Sequence, residues 1–399
     1  MNPGADKVVY LDNNATTRVA DEVVDAMLPY LKNLYGNPSS MHTFGGQVMA
    51  HIELAREQVA KLLGAQPSEL VFTSCGTESD NAAILGALEA LPQKRHVITT
   101  RVEHPAVRTL CAHLKGKGYR VTELGVNPKG LLDVAEFTAA LTDDTAVASV
   151  MHANNETGVI FPVEDLARIA KARGVVFHTD AVQSAGKLPI DMSRSAIDLL
   201  SISGHKLHAP KGVGALYVRR GTRIRPFVIG GHQERGRRGG TENVAGIVGL
   251  GKACELAAKH LPEENSRVKA MRDRLEETVL STIPDTLLNG DATKRLPNTS
   301  NISFSYVEGE AILLLLSRAG IAASSGSACT SGALEPSHVL RAMGVPFTSA
   351  HGSVRFSLSR YNTEADIDFT LASIGPIIAK LRMISPFSKG ESKTCGGCL

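Results

Sequence analysis

The pattern of apolar and polar positions changes along the chain and predicts two regions. Between about residue 70 and residue 218, short continuous apolar runs alternate with helical patterns. Continuous apolar runs are typical of strands that are buried on both faces of a parallel sheet, so this region is predicted to be an α/β domain. The predicted strands are Leu70–Thr73, His96–Thr99, Ala146–Met151, Val175–Thr179, Leu199–Ser203 and Gly214–Val218, and the predicted helices are Glu78–Leu91, Ala106–Lys115 and Val163–Arg173.

The pattern of apolar and polar positions in the second region differs from that in the first and indicates a smaller α+β domain. A helical stretch over about 245–283 lies between the two regions, and Pro262, near the predicted junction, is expected to interrupt it. Strands at Asn301–Phe304 and Ser353–Leu358 and helices at Glu310–Ala319 and Glu364–Met383 follow. We predict a large domain over 15–261 and a small domain formed by 1–14 and 262–399. The tail from about residue 388 is rich in Ser, Lys and Gly and is predicted to be mobile.

The composition is that of an ordinary globular enzyme. A net charge of +3, from 43 basic and 40 acidic residues, indicates no bulk affinity for nucleic acid. The longest aliphatic run covers only 311–316, whereas a membrane span needs about 20 apolar residues. Six cysteines are scattered along the chain, and no secretory pattern precedes them, which favours a reducing compartment. We therefore expect a cytoplasmic protein that binds neither nucleic acid nor membranes.

Polar residues cluster directly after five of the predicted strands. In open α/β sheets the carboxyl ends of the strands form the edge where ligands bind. We therefore expect these side chains to converge on one site. The five segments are Ser74–Glu78, Glu103–His104, Asn154–Glu156, Asp180–Gln183 and Gly204–Lys206.

The residue types in these segments match the needs of pyridoxal phosphate. Gly76 and Thr77 open a helix whose free N–H groups suit a phosphate. Asp180 can hold a protonated ring nitrogen, His104 offers a flat titratable ring, and Lys206 is a candidate Schiff-base amine. Each residue alone has an ordinary interpretation as a surface lysine, a helix cap, a loop histidine or a helix start. Their joint occurrence at the strand ends favours the cofactor site.

Eight motifs make the chain similar to the cysteine desulfurases, which are fold-type-I pyridoxal-phosphate enzymes, and especially to their nitrogen-fixation (NifS) branch. The resemblance extends from Tyr10 to about Pro386 and implies a large domain with a mostly parallel, seven-stranded-type sheet flanked by helices, plus a smaller α+β domain. The motifs are Tyr10–Thr17 and Gly36–Ser40, Glu103–Ala106, Asn154–Gly158, His178–Gln183, Ser203–Lys206 with Gly240–Asn243, and Ser324–Ser331.

The resemblance also implies a role for each matching residue. Lys206 would bind the cofactor covalently, His104 would stack on its ring and assist proton transfer, and Asp180 would pair with the ring nitrogen. Asn155 and Arg355 would bind the substrate carboxylate, which the planar fork of a guanidinium matches. The remaining cofactor-binding residues would be Gly76, Thr77, Asn155, Gln183, Ser203, Gly204, His205 and Thr241. In the family, the residue matching Thr241 reaches the phosphate of the other subunit, which implies a homodimer.

Cys329 is the predicted nucleophile for sulfur. It lies in Ser324–Gly332, a stretch of small residues that is expected to be mobile. A buried packing thiol is the alternative interpretation. The resemblance implies that L-cysteine is converted to L-alanine while a persulfide forms on Cys329. An iron–sulfur scaffold protein would accept the sulfur, in a nitrogenase-related role or alternatively a housekeeping one, and Cys329 could also be a transient iron–sulfur ligand.

Other interpretations remain open from the sequence. Another pyridoxal-phosphate enzyme, such as an aminotransferase or a selenocysteine lyase, would share the cofactor site, and a sulfur or metal carrier would lack the cofactor. Cys395 and Cys398 depart from the family pattern and belong either to an inert tail or to a redox, metal or sulfur-relay pair. The arginines of 235–238 are interpreted as an interface or a solvated loop, because no aromatic platform accompanies them.

Overall fold

The computed structural model describes residues 8–325 and 336–385. The strands are β1 (Val9–Tyr10), β2 (Leu70–Thr73), β3 (His96–Thr100), β4 (Arg120–Leu124), β5 (Thr145–Ser149), β6 (Val176–Asp180), β7 (Leu199–Ser203), β8 (Gly214–Val218), β9 (Thr286–Leu288), β10 (Thr299–Phe304), β11 (Ile321–Ala322) and β12 (Ser353–Ser357). The helices are α1 (Asp21–Lys32), α2 (Thr43–Leu63), α3 (Gly76–Ala90), α4 (Pro105–Gly116), α5 (Val134–Ala140), α6 (Val163–Ala172), α7 (Val244–Glu263), α8 (Lys269–Thr282), α9 (Gly309–Arg318), α10 (His338–Ala342), α11 (Phe347–His351) and α12 (Glu364–Ile384).

A seven-stranded sheet forms the centre of the larger core, in the order β2-β8-β7-β6-β5-β3-β4. Only β8 runs antiparallel to its neighbours, and the other pairs are parallel. Strands β3, β5, β7 and β8 are buried at every position, because helices cover both faces. The predicted α/β fold with a mostly parallel sheet is confirmed.

Two helices, α3 and α4, begin shortly after the carboxyl ends of strands β2 and β3. Helix α3 begins at Gly76, three residues after β2 ends, and α4 begins at Pro105, with His104 as its N-cap. Proline is favoured at the first helical position, since it has no N–H to leave unsatisfied. Both starts therefore lie at the carboxyl-terminal edge of their strands.

The smaller core is built around an antiparallel sheet in the order β12-β10-β9 and the parallel pair β1-β11. Its buried side chains come from β1 and from α8, α9 and α12, so the N-terminal strand packs with the C-terminal part of the chain. Helices α10 and α11, in contrast, contribute Val339, Leu340 and Ala350 to the larger core. The division at residue 262 stays a prediction.

The helical backbone does not break at Pro262. Helix α7 includes Pro262 and passes into one π-helical turn, Glu264–Val268, which leads directly into α8. Asn265 Nδ2 and Ser266 Oγ donate to the carbonyl groups of Leu261 and Pro262 at 3.0 and 2.7 Å. The irregularity thus follows the proline as a π-turn that begins two residues after it, and the helical path continues into α8.

No helix in the described part of the chain is long and apolar enough to cross a membrane.

Candidate active site

A cavity of about 380 Å³ opens at the carboxyl-terminal edge of the large sheet and brings together most of the predicted site residues. Convergence at this edge is the expected result of parallel strand direction. The predicted residues that line it are Gly76, Thr77, His104, Asn155, Asp180, Gln183, Ser203, His205, Lys206 and Arg355.

One end of the cavity is suited to an anion. The N-terminus of α3 faces it at Gly76, where an added Cβ would lie 2.8 Å from Val182 Cγ2, so a side chain would crowd this approach. Ser203 Oγ is buried here and has no hydrogen-bond partner among the described residues. Backbone N–H groups at a helix start together with an unpaired hydroxyl are donors for a phosphate.

Gly204 lies behind this end rather than on the cavity wall. It begins the tight turn Gly204–Lys206, and an added Cβ would lie 2.9 Å from Val213 Cγ1. Glycine at this position therefore lets the turn pack closely enough to place Lys206 in the cavity.

Lys206 is held by backbone groups from the N-terminal segment. Its Nζ donates to the carbonyl oxygens of Asn14 and Ala15 at 2.5 and 2.6 Å. Burial lowers the pKa of Lys206 to about 7, and the neighbouring positive charges of Arg355 and Lys187 act in the same direction. A large fraction of the amine is therefore uncharged and nucleophilic at neutral pH.

His104 is a neutral ring. Its Nδ1 accepts a hydrogen bond from the backbone N–H of Ala106 at 3.2 Å, so the ring proton is assigned to Nε2. Burial, and then the charge of Lys206, lower the pKa of His104 to about 4. The imidazole is therefore uncharged at pH 7 and can accept a proton only transiently.

Two other buried carboxyl groups, those of Asp80 and Glu103, lie near Asp180. Asp180 Oδ1 accepts a hydrogen bond from the N–H of Val182 at 2.8 Å. Burial raises the pKa of Asp180, of Asp80 and of Glu103, the last to about 8. A cationic group bound beside Asp180 would stabilise its ionised form. Asp80 also lines the cavity and has no role in the sequence interpretation.

Arg355 and Asn155 meet on the opposite wall. Arg355 Nη1 donates to the carbonyl oxygen of Asn155 at 2.8 Å, and Nη2 donates to Asp12 Oδ1 at 2.7 Å. Its Nε is buried without a partner among the described residues. Asp12 and Asn14 lie in a motif that indicated only the family, so sequence reasoning missed their contacts with Arg355 and Lys206.

Cys329, Cys395 and Cys398 lie outside the described residues. The segments that flank Cys329 do reach the cavity. Ser324 and Arg355 exchange backbone hydrogen bonds of 3.3 and 2.6 Å, and Pro336 lines the cavity wall.

Thr241 does not join this cavity within one chain. It is exposed and lines a separate cavity of about 140 Å³. Its loop is tied to the larger core, since Arg238 Nε donates to Glu78 Oε1 at 2.9 Å and Glu234 forms a buried ion pair with Arg56 at 2.8 Å. The predicted contact of Thr241 with a second subunit stays a prediction.

Comparison with known proteins identifies the family. The class-V aminotransferase family matches residues 9–369. The cysteine desulfurase of Trichormus azollae is 62% identical over 385 residues, which cover 96% of each chain, and the cysteine desulfurase NifS of Azotobacter vinelandii is 61% identical over 384 residues, with the same coverage. This chain belongs to the cysteine desulfurases of the class-V aminotransferase family. A solved NifS-like protein has a TM-score of 0.88 at 41% identity and covers 94% of this chain and 100% of that one. The family predicted from the sequence is confirmed.

Members of this family depend on pyridoxal phosphate, and the residues of the cavity fit that group. The unpaired Ser203 hydroxyl and the start of α3 provide donors for its phosphate, and Asp180 provides a carboxylate for its ring nitrogen. Lys206 offers an amine at the same cavity.

Proposed function

We propose that this chain binds pyridoxal phosphate and removes the sulfur of L-cysteine, which releases L-alanine and leaves a persulfide on Cys329. The observation that carries the proposal is the position of Lys206. Its partly buried amine, with a pKa lowered to about 7, lies in one cavity with the phosphate donors and with Asp180. An aminotransferase would need no nucleophilic thiol, whereas Cys329 lies in a segment whose flanks reach this cavity.

Each residue of the cavity has a separate role in the proposed reaction. The bound cofactor supplies an electron sink for the pair left when the Cα–H bond of the substrate breaks. Lys206 Nζ accepts that proton, because its amine is partly uncharged at neutral pH. His104 stacks as a neutral ring, and Arg355 holds the substrate carboxylate together with Asn155.

The sulfur step needs no external oxidant. The Cys329 thiolate attacks the sulfur of L-cysteine, so that an S–S bond forms and the C–S bond breaks. L-Cysteine and one thiol thus become L-alanine and one persulfide, with atoms and electrons in balance. We propose an iron–sulfur scaffold protein as the acceptor, in nitrogenase-related assembly, within the cytoplasm.

A homodimer is part of the proposal. Large apolar side chains are exposed on and after α1, which is typical of a protein–protein interface. They are Val24, Leu28, Leu31, Tyr35 and Met41. Because Thr241 lies outside the cavity of its own chain, a second copy would be needed to bring it to a phosphate.

The test combines a spectrum with product assays. Purified protein should show a visible cofactor band that shifts on addition of L-cysteine, with release of alanine and sulfide. Cys329→Ala should lose alanine release and keep the band, and Cys254→Ala, on α7 and away from the cavity, is the matched control for loss of a thiol. Unchanged alanine release in Cys329→Ala would remove that residue from its role, and a protein without a band after addition of pyridoxal phosphate would refute the proposal.

A further inference from the structure

A second buried lysine lies behind Lys206. Lys187 is only 6% exposed, and its Nζ donates to the backbone carbonyl of Gln183 at 3.1 Å. The side-chain amide of Gln183 donates to the carbonyl of Asn14 at 2.9 Å, and that oxygen also accepts from Lys206 Nζ. Gln183 therefore connects the two amines, one through its backbone and one through its side chain.

The two lysines also share a small cavity of about 20 Å³ that is separate from the active-site cavity. This volume holds about one water molecule. Glu264 lines the same cavity and is also 6% exposed, and its Oε2 has no hydrogen-bond partner among the described residues. The carboxylate therefore faces Lys187 across a gap.

Glu264 reaches this position from the π-turn that joins the two cores. The next residue, Asn265, donates through Nδ2 to the backbone carbonyl of Lys187 at 2.9 Å. The turn thus holds the backbone of Lys187 and places the carboxyl group of Glu264 at the same cavity, which Arg360 and His208 also line. Single π-turns within helices are frequent at functional sites.

The charges around Lys206 make Lys187 relevant to chemistry. The charged and titratable groups that face Lys206 are Arg355, Lys187, Asp12, Asp180, His104 and His205. Burial lowers the pKa of Lys187 to about 8, and Glu264 opposes that shift. Lys187 and Lys206 line the same small cavity, so a positive charge on Lys187 raises the energy of a second ammonium group there.

We propose that Lys187 is a positioning residue that acts on Lys206 through its charge, across the small cavity that both side chains line. Glu264 offsets the cost of burying Lys187. A lysine beside a second cation is one established way to make an amine nucleophilic. The inference rests on the proposed function, since it assigns a partner to the cofactor-binding amine.

The test is a pH titration of the visible absorbance of the holoenzyme, which reports proton binding at the Lys206 nitrogen. Lys187→Met should move the midpoint upward by about one pH unit, a tenfold change in proton affinity. The reason is that loss of a neighbouring cation stabilises the protonated form. Lys259→Met removes the same charge from the exposed side of α7 and should leave the midpoint unchanged.

A double variant keeps the test decisive if Lys187→Met does not fold. Lys187→Met with Glu264→Gln leaves no unpaired buried charge and should show the same upward shift. A midpoint equal to wild type in whichever variant folds would overturn the inference and leave the proposed function intact. A wild-type protein without any visible band would instead overturn the proposed function.

Discussion

The two walls of the active-site cavity are built in different ways. On the larger core, Gly76, Asp180, Ser203 and Lys206 each lie at or within three residues of the end of a sheet strand. On the smaller core, Arg355 of β12 is paired with Asp12, 343 positions away in the sequence. The first wall follows from strand direction alone, whereas the second forms only when the N-terminal segment packs against β12.

This difference predicts that the two walls have different roles in the reaction. Groups at the ends of a buried sheet are held rigidly, as a reacting amine and a phosphate site require. The wall on the smaller core depends on the packing of two cores and carries Arg355, which is proposed to bind the substrate carboxylate. Variants on the first wall should therefore change chemistry or cofactor binding, and variants on the second should change the affinity for L-cysteine.

The largest effect is expected at Lys206 on the rigid wall. Lys206→Ala should lower kcat for alanine release by about a thousandfold or more, because a positioned acid–base group contributes on that scale. Lys259→Ala is the exposed control. Steady-state kinetics of both variants test this prediction. A Lys206→Ala enzyme whose kcat lies within tenfold of wild type would contradict the assignment of chemistry to the first wall.

The lowered pKa of Lys206 also predicts a pH-dependent stability. Since the pKa falls from 10.5 to about 7 on folding, the unfolded chain holds a proton that the folded chain lacks between these values. The cost to the folded state grows as the pH falls from about 10.5 to about 7 and is constant below that. Urea unfolding of the cofactor-free protein should show Lys206→Met gaining several kcal/mol over wild type across this window, at about 1.4 kcal/mol per pKa unit. A pH-independent difference would argue against the shift.

A smaller effect is expected on the second wall. Arg355→Lys keeps the charge but loses the planar fork, so KM for L-cysteine should rise roughly 10- to 150-fold, as expected from about 1.5–3 kcal/mol for hydrogen bonds to a charged group. The change in kcat should be minor. Arg274→Lys, on the exposed face of α8, is the matched control. A change confined to kcat would place Arg355 with the chemistry instead.

The smallest effect concerns a single hydroxyl on the first wall. Ser203→Ala should weaken pyridoxal phosphate binding about 2- to 12-fold, corresponding to about 0.5–1.5 kcal/mol for one hydrogen bond. Equilibrium dialysis of the cofactor measures it, with Ser373→Ala on the surface of α12 for comparison. Equal affinity in both variants would show that Ser203 does not contact the phosphate.

The pattern of apolar residues along the chain was sufficient to predict strands that are buried on both faces. The predicted strands 70–73, 199–203 and 214–218 have the bounds of β2, β7 and β8. The apolar pattern did not predict strand β4, because Arg120 is exposed there and Thr122 and Glu123 are polar. An edge strand needs no continuous apolar run, so its pairing with β3 was not predictable from composition.

The alternating α/β architecture, the polar residues at the strand ends and the family were predictable from the sequence. These features depend on side-chain periodicity and on short motifs, both of which are local. The tertiary structure alone decided that Asn14 and Ala15 bind Lys206, that Asp12 pairs with Arg355, and that Lys187 and Glu264 share a cavity behind the active site. It also decided the charge states, because burial and the proximity of distant charges, rather than residue identity, determine the pKa of Lys206.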